Sequence, residues 1–302
     1  MIKTRIIPAL LAAAMTVPGA AFAAGGGTHV ENISFSYEGP FGTYEKHQLQ
    51  RGFQVFQEVC AGCHGLQYLS FRDLGSQTGP AFPNEQVKAI AALYEVADEE
   101  GEPGDTRTAK AADKFPANTD AGAPDLSLMA KARAGFHGPY GLGISQLING
   151  MGGGEYIFSI LASYHEEPEC AADAEMEGSY NAAFGPGGYP DSCKIFEPQP
   201  DGSMKEVGRL APGSWIAMPP PLDEDLIEYA MHGGEEGHAG EAPEASVEQM
   251  AEDVSAFLMW AAEPQLVERK QAGFRNILML LTLTVLLYFT NKALWAKVKR
   301  KE

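Results

Sequence analysis

The chain has 302 residues, 45% of them hydrophobic, enough to bury a sizeable core in one large domain or two small ones. Asp and Glu number 40 against 22 Lys and Arg, and the resulting formal charge of −18 repels phosphates and argues against nucleic acid as a partner. The same charge favours solubility and suits a basic protein partner, although most of these carboxylates read as a solvated surface.

The N-terminal stretch "MIKTRIIPALLAAAMTVPGAAFA" joins basic Lys3 and Arg5 to an apolar run from Ile6 to Val17 and an A-x-A site at Ala21-Phe22-Ala23. This is the anatomy of a bacterial secretory signal peptide, so residues 1–23 are predicted to be cleaved and the rest exported. An uncleaved anchor helix is the alternative, but the run is short and holds Pro8 and Pro18. Export permits disulfides in the remainder of the chain.

Residues 24–270 are predicted to form a single, mostly α domain with long loop insertions. In "EKHQLQRGFQVFQEVCAGC", Leu49, Phe53, Phe56 and Cys60 recur at steps of four, three and four, a helical stripe. The stripe runs into Cys60-Ala61-Gly62-Cys63-His64, which fits the C-x-x-C-H signature of covalent haem attachment. Two thiols on adjacent turns form thioethers with the two vinyl groups of one porphyrin, and the next residue presents an imidazole to the iron. A thioredoxin-type pair lacks its βαβ setting here. A zinc site wants a second pair at matching spacing, which Cys170 and Cys193 do not supply, and a structural disulfide within C-x-x-C is the remaining rival.

Further on, residues 95–124 and 165–194 read as acidic or glycine-rich surface loops, while "GISQLINGM" and "EYIFSILASY" read as short helices. Cys170 and Cys193 lie in the second loop. Cysteine arithmetic in an exported chain makes them a disulfide worth about 3 kcal/mol, with two free buried thiols as the alternative. His232 and His238 stand among acids in "MHGGEEGHAGEAPE", where a mobile loop is the simpler reading than a metal site. "SVEQMAEDVSAFLMWAAEP" opens with Ser246 and Gln249 in a capping-box pattern, carries an apolar face including Val254 and Phe257, and closes at Pro264.

A charge-free run from Ile277 to Phe289 predicts a transmembrane anchor over 273–296, with Arg275 and Lys292 snorkelling at its ends. A buried soluble helix is the alternative for a run this short. The basic tail, 297–302, stays in the cytoplasm by the positive-inside rule, which places everything before residue 270 in the periplasm.

An iron held by His64 takes a sixth ligand or keeps an open site. Most methionines read as core filler. Met218 differs, because "SWIAMPPPL" is an extended segment stiffened by Pro219 to Pro221, a strap suited to carry a thioether. Met151 and His137 are weaker rivals on spacing alone. His/Met ligation favours electron transfer over oxygen or peroxide chemistry.

The blocks "RGFQVFQEVCAGCH", "APDLSLMAKAR", "GGGEYIFSILASY", "AMPPPL" and "DVSAFLMWAAEP", followed by a C-terminal anchor, resemble the cytochrome c1 family, the haem subunits of the cytochrome bc1 complex. They span most of residues 50 to 300, and the acidic loops suggest a bacterial member. The resemblance implies one covalent haem c with Met218 as the sixth ligand, Arg133 paired with a propionate, and Asn118, Pro124 and Tyr140 lining the pocket. It implies a subunit of quinol–cytochrome-c reductase that itself only relays electrons, from the Rieske iron–sulfur protein to a soluble cytochrome c, beside a cytochrome b subunit in the inner membrane. It adds nothing to the Cys170–Cys193 pairing. Another membrane-tethered monohaem cytochrome, or a peroxidase-like enzyme with an open iron site, are the other functions these residues allow.

Overall fold

A computed structural model describes residues 30–98, 101–119, 122–133, 150–200, 202–229 and 243–299. The leader at 1–23, His137, Tyr140, His232, His238 and the side chains of the tail at 297–302 lie outside the described residues, as does most of "GISQLINGM".

The class is mostly α with short strands. Helix α1, Lys46–Val55, begins at Glu45, whose carboxylate accepts the amides of His47 and Gln48. Its stripe turns inward as the spacing predicts, with Leu49, Phe53 and Phe56 buried. It does not continue as a regular helix, however. Phe56–Cys60 forms a π-helical turn in which the Ala61 amide reaches back five residues to the Phe56 carbonyl at 2.8 Å.

Helix α2, Asn84–Ala91, packs against a 3₁₀ turn, Phe71–Gly75. Strands β1, Glu95–Ala97, and β2, Thr106–Thr108, pair antiparallel. The stretch 95–124 is therefore not wholly a surface loop. It contains a hairpin braced by Arg107 on Asp113, and it delivers Ala109 and Phe115 to the core. The composition hid this, because among the described residues of the stretch only the side chains of Ala109 and Phe115 are buried.

After the short helix α3, Met129–Ala132, comes α4, Gly153–Ala162, the helix read from "EYIFSILASY". Helix α5, Val247–Ala262, starts at Ser246, whose hydroxyl accepts the Gln249 amide, half of the capping box read from sequence. It is buried along nearly its whole length and packs against α1, α3 and α4. The α1–α5 crossing is close because residue 52 is Gly: a Cβ there would lie 2.0 Å from the Asp253 carbonyl oxygen. Around it Phe257 meets the rings of Phe53, Phe56 and Trp260, and Arg51 forks onto buried Asp253 at 2.8 and 2.9 Å.

Between α4 and α5 sits a second, smaller core. Strands β3, Ser179–Asn181, and β6, Ser214–Ile216, pair antiparallel, and so do β4, Lys194–Pro198, and β5, Met204–Arg209. Four buried residues, Ala171, Tyr180, Cys193 and Trp215, centre it, and Cys170 and Cys193 are bonded to each other. The stretch 165–194 thus also holds a strand, β3, within what composition marks as loop.

Helix α6, Leu266–Lys299, is continuous and about 51 Å long at 1.5 Å per residue. It begins at Leu266 rather than near Gly273, because Leu266 and Val267 are buried in the domain core. Lys270 donates to the Tyr37 carbonyl, and Phe274 meets Phe41 edge-on, tying the helix to the N-terminal arm. From Phe274 to Trp295 its large apolar side chains are exposed, and among the described residues it is the helix long and apolar enough to cross a membrane.

Candidate haem site

The C-x-x-C-H segment leaves the π turn in a tight coil. The Cys63 and His64 amides both reach the Cys60 carbonyl, at 3.1 and 2.9 Å. Cys60 is half-buried and Cys63 exposed. Burial, followed by the nearby Cys63, pushes the Cys60 thiol up to about 12, so it is a neutral thiol near pH 7 rather than a thiolate poised for disulfide exchange.

A second strand of chain clasps this coil from residues 115–127. The Phe115 amide donates to the Leu69 carbonyl, and the Leu126 amide to the Gly65 carbonyl. Asp125 takes the amides of Gln67 and Ser127, and the Ser127 hydroxyl takes that of Tyr68. Asn118 spans the coil itself, donating to the Gly62 carbonyl at 2.9 Å and the Ala61 carbonyl at 3.3 Å. The approach is possible because residue 65 has no side chain: a Cβ there would stand 2.7 Å from the Asn118 amide nitrogen.

His64 is oriented from the same clasp. Its Nδ1 lies 2.7 Å from the Pro124 carbonyl. A carbonyl only accepts, so Nδ1 carries the proton and Nε2 keeps its lone pair. Such a carbonyl partner fixes the tautomer and ring direction of a metal-ligating histidine. Beside the ring lies a cavity of about 310 Å³, lined by His64, Ala61, Phe56, Tyr94, Phe115 and Asn118 among others. Two thiols, one imidazole with an available Nε2 and a partly aromatic cavity wall are the donor set and surroundings that a covalently held haem requires, and the residues present fit that group.

Not all the sequence-predicted residues gather there. Cys60, Cys63, His64, Asn118 and Pro124 form one contiguous group. Arg133 is exposed at the C-terminal end of α3 and makes no ion pair among the described residues. Its charge acts on Tyr156 of α4, partly offsetting the upward push that burial gives that phenol. Met218 is not part of that group and follows β6 of the smaller core. It is half-buried two residues beyond β6, and its carbonyl accepts the Tyr164 hydroxyl at 3.1 Å. Met151 is half-buried just before α4. Gly65 and Asp125 in the clasp, and Tyr164 beside Met218, make contacts that sequence reasoning missed. For Asp125 the "APDLS" turn chemistry was a usable signal; for the other two the partner lies more than 50 residues away.

The model of the Cytochrome C1 family matches residues 35–298. A cytochrome c1 of Cereibacter sphaeroides is 54% identical, covering 100% of this chain and 99% of that protein. A cytochrome c1 of Rhodobacter capsulatus is 46% identical over 93% of each chain. A protein named cytochrome b/c1 from Bradyrhizobium diazoefficiens is 34% identical across 87% of this chain, which matches 35% of that longer protein.

Proposed function

The chain belongs to the cytochrome c1 family, and from that membership we propose that it relays single electrons from the Rieske iron–sulfur protein to a soluble cytochrome c. Membership makes it a haem-bearing electron-transfer subunit of the cytochrome bc1 complex, the quinol–cytochrome-c reductase, anchored by α6. Quinol oxidation and proton translocation belong to the complex as a whole. A cytochrome b subunit is the neighbour of the anchor in this reading, which the fused name of the Bradyrhizobium relative supports.

Haem c, when bound, supplies the one-electron iron chemistry. The residues of the chain hold and tune it. Cys60 and Cys63 would fix it covalently, and His64 through Nε2 and Met218 through its thioether would hold its iron. A His/Met pair raises the potential and closes the iron to exogenous ligands. Arg133 is assigned to a propionate, and Pro124, Asn118 and Tyr140 to the pocket. The observation that carries the reading is the 2.7 Å contact of His64 Nδ1 with the Pro124 carbonyl. It holds the imidazole in the one tautomer that ligates through Nε2, directly after two cysteines at thioether spacing.

The haem domain faces the periplasm and the tail 297–302 the cytoplasm in this reading. The acidic balance suits a basic face on the soluble cytochrome c, so second-order electron transfer slows as salt rises. Met218→Leu tests the central claim: the potential of the holoprotein falls and its spectrum changes, whereas an unmoved potential removes Met218 from the iron. Purification in mild detergent brings down a b-type dihaem subunit and an iron–sulfur protein; isolation alone points to another tethered monohaem cytochrome. Ready carbon monoxide binding by the reduced wild-type protein points instead to an enzyme with an open iron site.

A further inference from the structure

We propose that Tyr164 is a positioning residue for Met218, its hydroxyl fixing the carbonyl of the ligand-bearing residue against the end of α4. The proposal rests on the reading of Met218 as the sixth ligand and deepens it.

The need for such a contact follows from the sequence around Met218. Its carbonyl precedes Pro219, Pro220 and Pro221, which have no amide to offer and extend the chain away from any regular ladder. On the other side β6 ends at Ile216. Met218 therefore stands two residues past its last strand pairing, on the stiff but unanchored start of a proline run. Among the described residues, the Tyr164 hydroxyl, 3.1 Å from the Met218 carbonyl, is the hydrogen bond that reaches this position from elsewhere in the fold.

Tyr164 is itself held on both sides. It lies two residues past the end of α4, and its backbone bridges to Asn181 of β3. The Ala182 amide donates to the Ser163 carbonyl at 2.9 Å, and the Asn181 side chain donates to the Ile160 carbonyl at 2.7 Å. Since β3 pairs with β6, the path from α4 through β3 and β6 to Met218 is closed by the phenol into a ring. Opening that ring at Tyr164 removes the hydrogen bond that ties Met218 to the end of α4.

The test uses the holoprotein within its complex. Tyr164→Phe removes one hydroxyl and keeps the ring. The expected result is a weakened ferric methionine–iron charge-transfer band, measurable carbon monoxide binding by the reduced haem, and a potential lower by about 59 mV, the equivalent of a tenfold shift in a one-electron equilibrium. A merely structural role would leave the band and the carbon monoxide reaction unchanged. A fluorotyrosine at position 164, isosteric but a stronger donor, is expected to hold the band at least at wild-type intensity. It also serves as the second arm if Tyr164→Phe yields no holoprotein. Met218→Leu run alongside separates the two ideas. If it leaves band and potential unchanged, the ligand assignment fails; if it abolishes the band while both Tyr164 variants match wild type, the role of Tyr164 alone is overturned.

Discussion

The two regions that carry the proposed iron ligands are built in opposite ways. Cys60, Cys63 and His64 issue from α1, whose stripe is locked into a large aromatic core with α5. Met218 issues from a small core of four buried residues, cross-linked by the Cys170–Cys193 bond and by hydrogen bonds such as Trp215 to Glu167. In the first region, burial of helix faces sets the position of the site. In the second there is too little apolar surface for that, so covalent and polar cross-links take its place.

Substitutions that act on one region and spare the other test this contrast. The largest effect is expected from Phe257→Ala, which removes the ring between Phe53, Phe56 and Trp260 and should cost about 3–5 kcal/mol. Denaturant unfolding measures it, and a loss under 1 kcal/mol would mean that helix packing does not hold the first region. Replacing both Cys170 and Cys193 by Ser should cost about 3 kcal/mol, but locally. Hydrogen exchange should rise across residues 165–216 while α1 and α5 keep their protection; uniform loss would merge the two regions into one cooperative unit.

A third effect tests the start of α4, where Glu155 lies beside Glu38 of the N-terminal arm. Burial, and then the neighbouring Glu38, raise the Glu155 carboxyl to about 8. A carboxyl with a raised folded pKa adds stability fully below its unfolded pKa, near 4.3, and loses that contribution as pH climbs through about 8. Stability should therefore decline between roughly pH 4.3 and 8, and Glu155→Gln, neutral throughout, should flatten the decline; identical pH profiles would exclude the effect. The smallest expected change is Asn118→Ala, about 1 kcal/mol from two lost hydrogen bonds to the coil at Ala61 and Gly62. It should loosen the attachment coil, seen as faster exchange of the Cys63 and His64 amides, without disturbing the Met218 region.

The sequence alone determined whatever is written in short-range pattern. The stripe of Leu49, Phe53 and Phe56, the cap at Ser246, the C-x-x-C-H coil and the apolar run of α6 all depend on neighbours a few residues apart, where helical period and capping act. The bond between Cys170 and Cys193 followed from counting cysteines in a chain read as exported. Even locally the reading stopped short at Phe56–Cys60, where the stripe could not reveal the π turn that sets the approach of the cysteines. Strands β1 to β6 escaped it as well, because runs of three to six residues with mixed exposure carry no clear alternation.

Only the tertiary structure decided which distant segments meet. The Pro124 carbonyl reaches His64 across 60 positions and the Tyr164 hydroxyl reaches Met218 across 54. Whether a carbonyl faces an imidazole or a phenol faces a strap depends on which surfaces are buried together, and on small residues such as Gly52 and Gly65 that let backbones approach. Hydrophobic period sets which face of an element turns inward; it does not specify the polar atom that the opposing backbone will present there.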